Sequence, residues 1–159
     1  MGFVLDRELQ CEASARHPNE EASMDHLDEM LQTHPDPAHS DRHVAEACIR
    51  ACFDCAVACT ICADACMAED DVGDMVACIR LDIDCADICV TTGLLIARPS
   101  ARDAETLRLQ LQSCAAACRA CGEECERHGR HGMEHCRVCA EACRACAEAC
   151  EEMAAALVP

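Results

Sequence analysis

The chain has no lysine, no tryptophan and no tyrosine, and only two phenylalanines among its 159 residues. Each absence closes something off. Arginine is the only strong cation, thirteen residues against thirty Asp and Glu, and the formal charge is −17. Such a surface repels nucleic acid and anionic membranes, so neither is an expected partner. Without bulky aromatics the core must be packed from small residues, chiefly Ala and Cys. Free Cys serves there as a small hydrophobe. No stretch of about 18 apolar residues exists, which excludes a helix crossing a bilayer. The amino terminus, MGFVLDRELQ, has no basic region followed by an apolar one. No secretory signal is read there, and the chain is placed in the cytoplasm. Glutathione keeps thiols reduced in that compartment, which argues against a disulfide framework. No period-2 alternation competes with helical patterning, so strands are not expected.

What the sequence does have is cysteine. Eighteen of its nineteen fall between Cys48 and Cys150. The first run is Cys48, Cys52, Cys55, Cys59, Cys62 and Cys66; the last is Cys136, Cys139, Cys143, Cys146 and Cys150. Steps of four and three are the heptad seam of an α-helix, so each run sets its thiols on one stripe. Two middle segments follow the same rule. One reads Met75, Cys78, Asp82, Cys85, Cys89, Thr92, Ile96. The other reads Leu107, Leu111, Cys114, Cys118, Cys121, Cys125, His128. A bundle normally fills such stripes with Leu and Ile; here the interior is lined with sulfur.

The expected fold is all-α: an antiparallel, up-down-up-down four-helix bundle over residues 41–157 with a Cys-lined core. Its helices are expected at 41–69, with Asp41 as N-cap, and at 72–97, stopped by Pro99. The other two are expected at 101–128, capped by Ser100 and ended by Gly129, and at 133–157. Residues 1–40 read as a mostly disordered extension, broken by His17-Pro18 and His34-Pro35-Asp36-Pro37. A short amphipathic helix is placed at 24–33 (MDHLDEMLQT), Met24 is an alternative start, and Cys11 is a spectator thiol.

The two ends of this bundle differ. One gathers Glu69, Asp70, Asp71, Met75, His128, His131, Met133 and His135; the other gathers Ile96, Leu107, Leu111, Met153 and Leu157. A sulfur-lined tube, polar at one end and plugged with hydrocarbon at the other, is a container. Soft thiolates select Cu(I), Zn or Fe–S clusters. Zinc wants four ligands in a tetrahedron, usually drawn from turns, and these spacings lie in helix-forming sequence without knuckle Gly or Pro. The ferredoxin spacing C-x2-C-x2-C-x3-C-P is also missing. Neighbouring thiolates on a stripe, about 5–6 Å apart at Cβ, can bridge one two-coordinate Cu(I). One Cu(I) per thiolate leaves the core near neutral, which points to a load on the order of 18 ions. A redox protein with Fe–S clusters or cycling disulfides is the alternative, and a purely structural Cys core is the bland one. Asp82 is read as a ligand or relay near the mouth, paired with His128 or His131, or else as a position wetted by the open end. Met75 is read as core or ligand. His128, His131, His135 and Met133 are candidate mouth ligands.

The stretches EACIRACFDCAVACTICADAC, CIRLDIDCADICVTTG, CAAACRACGEECERH and MEHCRVCAEACRACAEAC resemble the cytosolic bacterial copper storage proteins, over roughly residues 24–153. The resemblance implies a four-helix bundle that stores many Cu(I) ions and assembles as a homotetramer; no base-activated nucleophile or fixed open metal position is evident in the residues, so no catalysis is expected. It implies as ligands Cys48, Cys52, Cys55, Cys59, Cys62, Cys66, Cys78, Cys85, Cys89, Cys114, Cys118, Cys121, Cys125, Cys136, Cys139, Cys143, Cys146 and Cys150. The family's polar mouth maps onto Asp82, His128, His131 and His135. The chain departs from the family at HGRHGMEHC, where Met133 stands in place of an expected His. A copper chaperone is a candidate partner for delivery.

Overall fold

The computed structural model describes residues 26–35, 42–100 and 103–157. The expectations of disorder over 1–23, of a start at Met24 and of an Asp41 cap fall outside these residues. Five helices form: α1 (His26–Gln32), α2 (Arg42–Met67), α3 (Val72–Ile96), α4 (Ala104–Gly129) and α5 (Glu134–Ala156). There is no strand among the described residues. The short helix placed at 24–33 is α1, which packs on α2 alone and buries Leu31.

Helices α2 to α5 close into an antiparallel ring in chain order, α2 touching α3 and α5, and α4 touching α3 and α5. The diagonal pairs, α2 with α4 and α3 with α5, do not meet through their backbones. The axis between them is filled by side chains, and those side chains are thiols. Ala and Gly between the seams let neighbours come close. A Cβ on Gly122 would sit 3.3 Å from that of Cys143, and one on Gly93 would sit 3.1 Å from the Phe53 ring.

The expected helix boundaries shift by up to three residues, most at the start of α4. α4 starts at Ala104 rather than 101, because Asp103 and not Ser100 is its cap: the Asp103 carboxylate accepts from the Thr106 backbone N–H at 2.8 Å and from its hydroxyl at 2.7 Å. An Asp three residues before a Thr that can return a second bond is the better cap. At the other end, α4 closes on Gly129 as its last helical residue, without a left-handed conformation there. The left-handed residue of the turn is Gly132, with φ of 96°. Gly129 is small for a different reason. A Cβ there would lie 3.1 Å from the Arg137 backbone, so it is where α4 and α5 cross closely.

Candidate metal centre

All eighteen bundle thiols point inward, and none is more than 1% exposed. All are free. Their sulfurs lie 3.5–4.0 Å from their neighbours, as in Cys78–Cys125 at 3.5 Å, Cys59–Cys143 at 3.6 Å and Cys62–Cys125 at 4.0 Å. A disulfide needs about 2.05 Å. Sulfur crosses both diagonals: Cys55 meets Cys118 at 3.9 Å, and Cys89 meets Cys146 at 3.8 Å.

The thiols fall into overlapping fours whose sulfurs all lie within 4.8 Å of one another. Three of them are Cys55-Cys59-Cys85-Cys143, Cys59-Cys121-Cys139-Cys143 and Cys55-Cys89-Cys118-Cys146. Cys55, Cys59 and Cys143 each belong to two of these. Shared members make a continuous lattice of binding positions, in which each sulfur can bridge metals. With bonds of about 2.3 Å, sulfurs around one ion stand roughly 3.8 Å apart in a tetrahedron, about 4.0 Å in a trigonal plane and about 4.6 Å on a line. The thiols therefore need to move by less than about 1 Å to receive metal. Burial pushes the Cys66 thiol up, to about 11, with the charge of Cys78 adding to it. Hydrogen bonding with Cys150 and Cys52 brings Cys48 down to about 5. The interior thus holds protons that arriving cations displace.

Asp82 corrects an expectation. It is fully buried, so it is not a position wetted by the open end. Nor does it pair with His128 or His131. Its Oδ1 accepts from Cys121 at 3.0 Å, Cys139 at 3.3 Å and Cys125 at 3.4 Å, and Oδ2 accepts from Cys78 at 3.7 Å. Thiols of α3, α4 and α5 converge on it, about two turns along α3 from Met75 at the polar end. Burial raises its carboxyl to about 8, against the opposing effect of the Cys121 donation.

The polar end is an open depression of 550 Å³ that includes Asp71, Asp74, Met75, His128, His131 and Met133 in its lining. Met75 is buried, His128 and Met133 are half-buried, and His131 is exposed. His128 Nε2 lies 3.2 Å from Glu124 Oε1, one turn back on its own helix. His135 stands apart from that depression, against the last thiol of α2: its Nε2 is 3.5 Å from Cys66 Sγ, and its Nδ1 is 3.8 Å from Glu69. Glu124 and Glu69 were not singled out as partners of these rings; the i, i+4 spacing of Glu124 and His128 was a readable signal for the first. The opposite end is closed by Ile96, Leu107, Leu111 and Met153, all buried. There Thr92 gives its hydroxyl proton to the Ile88 carbonyl and accepts from Gln110.

Known proteins resemble this chain in sequence and fold. A structure of the copper storage protein Ccsp from Streptomyces lividans, loaded with 10 copper equivalents, is 49% identical, with a TM-score of 0.78 over 81% of this chain and 98% of that one. Apo copper storage protein 3 from Bacillus subtilis is 42% identical, with a TM-score of 0.60 over 69% of this chain and 98% of that one. The uncharacterised cysteine-rich protein YhjQ of Bacillus subtilis (strain 168) is 43% identical over 76 residues, 48% of this chain and 67% of that one. The family model for the copper storage protein matches residues 41–155. That span takes in every thiol of the lattice, and the chain belongs to the copper storage protein family.

Proposed function

We propose that this protein stores many Cu(I) ions on the thiolates inside its bundle and so keeps free copper low. The observation that carries the reading is the lattice itself: eighteen buried free thiols, among which successive groups of four hold members in common. Isolated Fe–S cradles would partition into separate fours, whereas four groups here are linked through Cys146, Cys55, Cys59 and Cys143. The family's copper-loaded members support the same reading. Residues 41–157 are the metal-holding unit and 1–40 an extension to it. Storage is not a catalytic step, and no residue is assigned a catalytic role.

Copper enters at the polar end in this reading. Met75, His128, His131 and Met133 line the depression there, and His135 touches Cys66. Imidazole and thioether take Cu(I) more weakly than thiolate, so they can receive an ion and release it inward. Asp82 stands deeper in the tube among four thiols, as a ligand or relay that itself carries a proton in the copper-free protein. The hydrocarbon plug makes the far end a dead end. A cytosolic setting is supported by a Streptomyces lividans relative described as cytosolic. It also suits delivery by a chaperone and assembly of several copies, the homotetramer that the family resemblance implies.

The test is anaerobic uptake by a variant in which Asp82, His128 and His131 are replaced by Ala. Stopped-flow loading is expected to slow at least about tenfold, while the final copper load stays near that of the parent. Unchanged loading rates would mean that copper enters elsewhere.

A further inference from the structure

Along the tube the sulfurs fall into two sets. Cys62, Cys66, Cys78, Cys125 and Cys136 hydrogen-bond among themselves at 3.5–4.0 Å, and Cys66 reaches His135 at the polar end. The other thirteen of the eighteen thiols form a second connected set. It runs from Cys48 and Cys150, toward the hydrocarbon plug, to Cys59, Cys121 and Cys139. Among the described residues, every thiol–thiol hydrogen bond of 4.0 Å or less lies inside one set or the other. The groups of four divide in the same way. Cys62-Cys78-Cys125-Cys136 shares no member with the groups linked through Cys146, Cys55, Cys59 and Cys143.

The division has a cause in the sequence. On α3 the seam carries sulfur at Cys78 and next at Cys85, with Asp82 in the position between. Those seven residues are about 10 Å of helix, against roughly 4.5–6 Å for an ordinary three- or four-residue step. Elsewhere, thiols four apart on one helix touch, as Cys55 and Cys59 do at 3.8 Å and Cys85 and Cys89 at 3.9 Å. At the level of Asp82 the thiols turn to the carboxylate instead. Cys121 and Cys139 of the inner set donate to Oδ1 at 3.0 and 3.3 Å. From the outer set, Cys125 donates to Oδ1 at 3.4 Å and Cys78 to Oδ2 at 3.7 Å. One fully buried side chain thus touches both sets across the gap.

We infer that the store has two chambers, an outer one of five thiols that exchanges copper with the mouth and an inner one of thirteen that holds it, with Asp82 as the crossing between them. Within a chamber an ion moves by exchanging one thiolate for a neighbouring one while a second still holds it. Between chambers the next ligand is a carboxylate oxygen, a hard donor that soft Cu(I) takes weakly. The crossing is therefore the slow step, in loading and in release alike. At one ion per sulfur, the outer chamber holds about a quarter of the load. The two chambers rest on the storage reading and on entry at the polar end, and they add a point inside the tube where flow is held back.

Copper release tests this. The full reduced chain is loaded anaerobically with Cu(I), its load is measured, and a chromophoric Cu(I) chelator is then added in excess. The parent is expected to give up about a quarter of its copper in one phase and the rest at least about tenfold more slowly. Asp82→Ala removes the crossing ligand, so the fast phase should keep its amplitude while the slow phase slows at least about threefold further. Asp82→Cys closes the sulfur gap on α3. There the slow copper should leave faster and the two phases should merge, a gain that a damaged fold would not produce. Circular dichroism checks that all three chains keep their helical content. Single-phase release from the parent would overturn the two chambers and leave storage standing. Two phases that neither substitution moves would overturn the crossing at Asp82. A load of about four ions or fewer, measured before the chelator is added, would overturn the storage reading and the chambers with it.

Discussion

Asp82 is the residue at which local pattern and tertiary environment part. Its place on the seam was legible from the period of its own helix. Its depth and its partners were not, because Cys121, Cys125 and Cys139 arrive from α4 and α5. Buried among thiols, its carboxyl titrates at about 8 instead of the ordinary 3.8. Between those pH values the folded, copper-free protein holds a proton that the unfolded chain has released. Stability is therefore highest below about pH 4 and falls as pH rises toward 8, by up to ~1.4 kcal/mol per pH unit from this group. Asp82→Asn removes the ionisation and should flatten that part of the profile. Anaerobic denaturant titrations of both proteins at pH 5 and pH 7 check this. Other thiols titrate in both proteins, so the difference between them isolates Asp82, and equal slopes would contradict the assignment.

At the scale of the helix, the 4-3 cysteine steps were decisive. One side chain type marks the buried stripe, so four segments, their direction and their inward faces could be read directly. Ends were read less well, because several residues near each end have capping chemistry. Ser100 and Asp103 both suit an N-cap, and the choice depends on where Thr106 points. Gly129 and Gly132 both suit a helix end. Only the fold shows that the first accommodates a neighbouring helix while the second supplies the positive φ. Gly129→Ala makes the distinction measurable. On propensity alone the change stabilises a helix by about 1 kcal/mol. Against the Arg137 backbone, the added methyl must push α5 away, a change that costs about 1–3 kcal/mol. The expected outcome is a net loss of stability in thermal or denaturant unfolding. A gain would mean that the two helices do not cross there.

For the molecule as a whole, the tube was legible and its outer surface was not. The inner seams are marked by a residue type with one dominant use, whereas Val, Ile and Leu on the outside of α2 and α3 read as ordinary helix content until burial is known. The polar and plugged ends follow from antiparallel order alone. What makes the interior a store is that Cys55, Cys59 and Cys143 each serve two neighbouring positions. The most direct test is titration of the reduced protein with Cu(I) under anaerobic conditions in the presence of a competing chromophoric chelator. The account predicts that the protein takes copper ahead of the chelator up to a load on the order of 18 ions per chain, roughly one for each lattice sulfur. Saturation at about four ions or fewer, the capacity of one closed site, would contradict it.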